Sequence, residues 1–198
     1  MLTLAFKDRP CAVSDRQALF ESLVREAYRP AYGLAYRLTG NASEAEDLMQ
    51  ETFVRAFRFF HRYDESLPFA SWVYRIMTNA HIDLVRRRGK LKTTSLDHGG
   101  HEGSGGWDVP DPDSTPDREL MRGAMDDTVQ AGLMAMTAEF RTAVLLADVE
   151  GLAYEEVAEI MRTSVGTVRS RIHRGRKQLR AYLLKHAPAT YKEMADEL

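Results

Sequence analysis

The chain has 198 residues, a formal charge of −2 and 44% hydrophobic residues. That length holds one large or two small cores, and no apolar run approaches the about 20 residues a membrane-spanning helix needs. Cys11 is the single cysteine, which excludes an internal disulfide and a multi-cysteine zinc site.

Residues 1–16 read as an N-terminal extension. Asp8 and Pro10 fall where a signal peptide would need an unbroken apolar stretch, so a cytoplasmic chain without membrane insertion is expected. A helical block follows over residues 17–90. Leu19, Phe20, Leu23, Val24, Ala27 and Tyr28 form one apolar face, continued by Ala31, Leu34, Ala35 and Leu38 after Pro30, where a kink or restart is expected. Thr39-Gly40-Asn41 reads as a stop and turn. Ser43-Glu44-Ala45-Glu46 has the pattern of a capping box. Behind it Ala45, Leu48, Met49, Thr52, Phe53, Ala56 and Phe57 share a face. Asp47, Gln50 and Glu51 fall on the opposite side. A third helix opens at Pro68 or Phe69 after a polar loop, turns Trp72, Val73, Ile76 and Ala80 inward, and ends in Arg86-Arg87-Arg88-Gly89. Around loop and helix, Phe59, Phe60, Tyr63, Phe69, Trp72 and Tyr74 interleave with Arg58, Arg62, Arg75, His81, Arg86, Arg87 and Arg88. Such mixtures hold single-stranded nucleic acid, rings meeting bases and cations meeting phosphates.

Residues 91–117 read as a flexible linker. Five glycines and three prolines break every period, and Asp97, Glu102, Asp108, Asp111, Asp113 and Asp117 outweigh Lys92. Such composition buries too little apolar surface to order itself.

The second block, residues 118–198, packs Leu133, Phe140, Val144, Leu145 and Val149 beneath a helix-turn-helix pattern in GLAYEEVAEIMRTSVGTVRSRIHRGRKQLRAYLLK. Glu155, Glu156 and Glu159 mark its first helix. From Arg162 to Lys185 there is no acidic residue, a charge sorting that fits phosphate contact. Val165, Val168, Ile172, Leu179 and Leu183 share one stripe, and Ser164 can cap the helix start. Ser170, Arg174 and Lys177 lie opposite, flanked by Thr167, Arg169 and His173. A second helix presenting its first turns to base edges is the helix-turn-helix docking mode. Pro188 is expected to end the long helix.

These residues carry a resemblance. GLAYEEVAEIM followed by SVGTVRSRIHRGRKQLRAYL resembles the −35-binding domain of extracytoplasmic-function sigma factors of bacterial RNA polymerase. EAEDLMQETFVRAFRFF and FASWVYRIMTNAHIDLVRRR resemble that family's other domain, which binds polymerase and the −10 element. The resemblance spans about residues 20–184. It implies an all-α protein of two small helical domains that directs core polymerase to promoters, reads a −35 element, and melts and traps a −10 element. An anti-sigma factor is the implied regulator. The polymerase partners it implies are the largest-subunit clamp and the flap region.

By the same resemblance, Asp47, Gln50, Glu51 and Arg55 bind core polymerase. Arg62, Tyr63, Ser66, Tyr74, Arg75, Asn79, Arg86 and Arg87 meet the −10 strand, with Asn79 helping to hold a flipped base. Thr167, Arg169, Ser170, Arg171, His173, Arg174 and Lys177 meet the −35 duplex, while Arg176 and Arg180 lie toward the phosphate backbone. Asp83 is read as a brace for Arg86 or Arg87. Ala153 stands where the family often has serine, so a helix-cap hydrogen bond is expected to be missing. No catalytic residue, cofactor or metal is expected. An enzyme would have to use Asp97, His98, His101 and Asp108 as metal ligands, in a Gly-rich stretch with no rigid frame.

Overall fold

The computed structural model describes the backbone of residues 11–95 and 126–192, with side chains over 16–88 and 126–192. The linker readings, Asp97, His98, His101 and Asp108 included, and the side chain of Cys11 lie outside the described residues. All regular structure among the described residues is helical.

Helix α1 runs over Cys11–Thr39 and passes through Pro30 without a break. It stops where expected. The Thr39 hydroxyl bonds back to the Ala35 carbonyl at 2.9 Å, and Gly40 takes a left-handed φ of 72°. Helix α2 spans Ala42–Phe59, and its cap is Asn41, whose side chain accepts from the Glu44 amide at 3.1 Å. The cap thus lies two residues before the expected Ser43, because Asn41 is already extended when the chain leaves Gly40. A 3-10 turn over Phe60–Arg62 and a short loop lead to α3, Phe69–Ser95. This helix continues past the Arg-Arg-Arg-Gly stop read from sequence, through Gly89. The three helices bury Leu34, Leu38, Leu48, Val73 and Met77. At one end of the bundle the rings of Phe20, Phe60, Phe69, Tyr63 and Trp72 meet, largely edge to face, with Phe20 and Phe60 centroids 4.9 Å apart.

The second half begins with α4, Asp127–Met134, capped by the Asp126 carboxylate on the Thr128 amide at 2.7 Å. Helix α5, Ala138–Val144, runs on into a single π turn over Leu145–Val149. Helix α6, Tyr154–Met161, ends at Arg162 in the left-handed conformation, φ 50°. Helix α7, Val165–His186, and the short α8, Pro188–Tyr191, complete it. Gly175 lets α5 and α7 approach closely. A Cβ there would sit 2.6 Å from Val144 Cγ2 and 3.3 Å from the Phe140 carbonyl oxygen.

The sequence suggests two bodies on a tether, yet one continuous apolar core joins the halves. Helix α3 packs on α6 and α5, and α1 packs on α4 and α5. The seam is bound by polar contacts at its edges. The Tyr74 phenol donates to Glu150 Oε2 at 2.6 Å, and Arg37 lies 3.6 Å from Glu150 Oε1. The buried Arg141 guanidinium donates to the Leu38 carbonyl at the end of α1, and to the Met136 carbonyl at 3.4 Å. A cation on the last carbonyls of a helix meets both their missing hydrogen bonds and the helix dipole. Met134 seats over Gly40, where a Cβ would come within 2.7 Å of its sulfur.

Candidate nucleic-acid interface

Helix α7 has the build expected of a reading head. The Ser164 hydroxyl accepts from the Thr167 amide at 3.1 Å, which fixes the first turn. Val168, Ile172 and Leu183 are buried, as is Gly175. Arg169, Ser170, His173, Arg174 and Lys177 are exposed on the other side, and Thr167 and Arg171 are partly so. Arg176, expected near the DNA backbone, is instead held by Asp148 through two hydrogen bonds of 2.5 and 2.9 Å. That carboxylate holds its guanidinium still more firmly in the charged form. The pair braces α7 against the π turn, a use of Asp148 that no periodicity announces. The cap bond expected to be missing at Ala153 is indeed absent from its side chain, and Glu156 instead accepts from the Ala153 amide at 2.9 Å.

The strand-binding surface read on the loop and α3 divides into exposed and covered parts. Arg62, Ser66, Arg75, Arg86 and Arg87 are exposed, and Asn79 is partly exposed. The Asn79 amide donates to the Arg75 carbonyl at 2.6 Å, which leaves its oxygen as the group offered outward. Tyr63 stacks on Phe60 at 5.6 Å and donates to the Leu67 carbonyl at 2.7 Å, so it closes the loop on itself. Tyr74 is 5% exposed and bound to Glu150, which places it in the seam and not on the outer surface. Burial and the Glu150 hydrogen bond push its phenol far above the usual tyrosine range. The brace assigned to Asp83 is not observed: Arg86 pairs with Glu139 at 3.5 Å and Arg88 with Glu44 at 3.0 Å.

On α2, Asp47, Gln50 and Glu51 are exposed, and Arg55 bonds Glu51 at 2.5 Å one turn on. Phe57 was expected inward but is 58% exposed. It joins Tyr28, Met49, Phe53 and Val54 in an apolar hollow of about 640 Å³ that Gln50 borders. Helix α2 therefore offers an acidic strip beside an apolar hollow, the mixture of a protein-binding face.

Comparison with known proteins shows the family. Residues 23–91 match the model of Sigma-70 region 2, and residues 127–179 that of Sigma-70 region 4. The chain is 43% identical over 181 residues to the ECF RNA polymerase sigma factor SigE of Mycolicibacterium smegmatis, covering 90% of this chain and 68% of that protein. It is 35% identical over 153 residues to the ECF RNA polymerase sigma factor SigW of Bacillus subtilis, covering 77% and 82%. The chain belongs to the ECF RNA polymerase sigma factors. A sigma factor serves promoter-specific initiation of transcription, and this chain carries both Sigma-70 regions, 2 and 4. Its fold resembles that of the sigma factor RpoE in complex with the anti-sigma factor NepR from Bartonella quintana. That match has a TM-score of 0.63 at 22% identity and covers 83% of this chain and 96% of the other. CnrH in complex with the cytosolic domain of CnrY gives 0.58 at 24% identity, covering 86% and 91%.

The sigma factor's seam residues Arg37, Arg141 and Glu150 were missed by sequence reasoning. Their partners lie far away in the chain, and only Arg141, a cation amid apolar positions of α5, gave any local signal. Among the described residues no cluster of histidines, cysteines and carboxylates could hold a metal, and no helix is long and apolar enough to cross a membrane.

Proposed function

We propose that the three surfaces divide the work of initiation. Residues 17–90 form the domain that docks polymerase and takes the −10 strand, and residues 118–198 form the domain that reads the −35 duplex. Asp47, Gln50, Glu51 and Arg55 dock the clamp of the largest polymerase subunit, with the apolar hollow beside them. Arg62, Arg75, Asn79, Arg86 and Arg87 receive the melted −10 strand, and the outward oxygen of Asn79 accepts from a flipped base. Extruding that base costs a few kcal/mol, which pocket and phosphate contacts must offset. Thr167, Arg169, Ser170, Arg171, His173, Arg174 and Lys177 read the −35 duplex. The observation that carries this division is α7: a capped helix with one buried apolar stripe and an opposite face of exposed Arg169, Ser170, His173, Arg174 and Lys177.

Control by an anti-sigma factor is part of the proposal, supported by structural neighbours solved as complexes with such partners. The protein itself performs no catalysis and acts where polymerase acts, in the cytoplasm. Transcription reconstituted with core polymerase tests the scheme. Glu51→Lys should lose core binding with unchanged helicity. Asn79→Ala should bind core normally yet fail on duplex promoters and recover on pre-melted ones. Wild-type behaviour of both variants would overturn the assignment of surfaces.

A further inference from the structure

Where the turn of the helix-turn-helix meets α3, the two halves enclose a groove of about 370 Å³. Arg62 and Arg75 line it from the first half and Arg162 from the second, beside Trp72, Phe59 and Asn79. Arg55 stands at its edge, already bonded to Glu51. Arg62, Arg75 and Arg162 have no carboxylate partner among the described residues. Arg62 lies 5.5 Å from the centre of the Phe59 ring, which fixes its guanidinium on the wall. Three guanidinium groups without carboxylate partners thus line one small groove, the third supplied by the second half. An anion of high charge density is the complement of such a lining.

We propose that the closed protein binds a nucleoside polyphosphate in this groove. The phosphates lie among Arg62, Arg75 and Arg162, the base lies against Trp72, and the Asn79 oxygen accepts from a base N–H. The cavity lies within the size range of small-molecule sites. The −10 strand does not account for the full set, because Arg162 belongs to the turn of the duplex-reading half and Asn79 to the strand-binding half. A single strand also carries one charge per nucleotide, whereas a polyphosphate gathers several at one point. Occupancy ties both halves together, so the ligand favours the closed form by its differential affinity for it. The proposal goes beyond promoter binding and stands without it.

The test is fluorescence of the full chain carrying Trp107→Phe, which leaves Trp72 as the sole tryptophan. GTP should quench Trp72 saturably, more weakly as salt rises, with neither polymerase nor DNA present. Arg162→Gly and Arg162→Asn, both suited to the left-handed turn, should each weaken GTP by about tenfold, the value of one charged hydrogen bond. Inorganic tripolyphosphate should bind more weakly than GTP. The proposal is overturned if GTP leaves Trp72 unchanged. It is equally overturned if both Arg162 variants bind GTP like the parent, or if tripolyphosphate matches GTP. Because promoter DNA is absent, failure of the −10 assignment does not alter any of these readings.

Discussion

Tyr74 of α3 and Glu150, just beyond the π turn, stand 76 positions apart in the chain, and their side chains share a 2.6 Å hydrogen bond. Arg37 of α1 reaches the other oxygen of the same carboxylate at 3.6 Å. One residue of the C-terminal half thereby holds two helices of the N-terminal half. The side chains of the Arg37–Glu150 pair are only 18% and 11% exposed, so breaking it strands a charge away from water.

Glu150→Ala should therefore weaken the seam by about 1–3 kcal/mol, the cost of leaving buried polar groups unpaired. The expected outcome is a larger radius of gyration by solution scattering and faster amide exchange along the Tyr74 turn, with helicity unchanged. A variant as compact and protected as the parent would show that the apolar core alone closes the halves.

The seam should also respond to acid. Burial pushes the His81 imidazole down to about 4, and the neighbouring Arg141 and Arg88 charges add to this. Neither ring nitrogen has a hydrogen-bond partner. The folded protein therefore holds the neutral ring, while the unfolded chain protonates near the ordinary value of about 6.5. This contribution to stability is complete above about 6.5 and is lost progressively as pH falls toward 4. Urea midpoints measured from pH 7.5 to 4.5 should fall more steeply for the parent than for His81→Phe. Parallel curves would place the acid sensitivity elsewhere.

Gly175 and Gly166 make a contrasting pair on one helix. Alanine at 175 puts a methyl 2.6 Å from Val144 Cγ2 and 3.3 Å from a backbone oxygen. The overpacking cost of about 1–3 kcal/mol outweighs the about 1 kcal/mol of helix propensity gained. Alanine at 166 meets nothing closer than the Ser164 hydroxyl at 3.9 Å and keeps the propensity gain. Thermal midpoints should move down for Gly175→Ala and up for Gly166→Ala. Movement in the same direction would contradict the close approach of α5 and α7.

Much of this architecture is legible in the sequence because helices announce themselves locally. The stripe of Val168 and Ile172 and the cap at Ser164 are periodic or short-range signals, and both stand in the structure. Boundaries were less legible. The cap at Asn41 competes with Ser43 for the same role, and α3 continues through Gly89 where Arg-Arg-Arg-Gly resembles a stop. The seam was not legible. Tyr74 reads as one more aromatic residue among nucleic-acid-binding neighbours until Glu150 is brought to it. Phe57 reads as core, yet it lies in the open hollow beside Gln50. Long-range pairing leaves no period in the chain, so only the folded structure separates a buried ring from one left largely exposed.

The central claim is that the exposed face of α7 reads sequence through Arg174. The direct measurement is selection by the reconstituted holoenzyme from a library randomised across the −35 element, at several salt concentrations. Losing a bidentate arginine contact should cost about 1–3 kcal/mol and relax preference at one base position in Arg174→Ala. Arg180→Ala, placed toward the phosphate backbone, should weaken all sequences alike and reduce the salt dependence by about one charge. If Arg174→Ala instead lowers binding uniformly with every base preference intact, Arg174 is a phosphate clamp, and the reading falls to Arg169, Ser170 and His173.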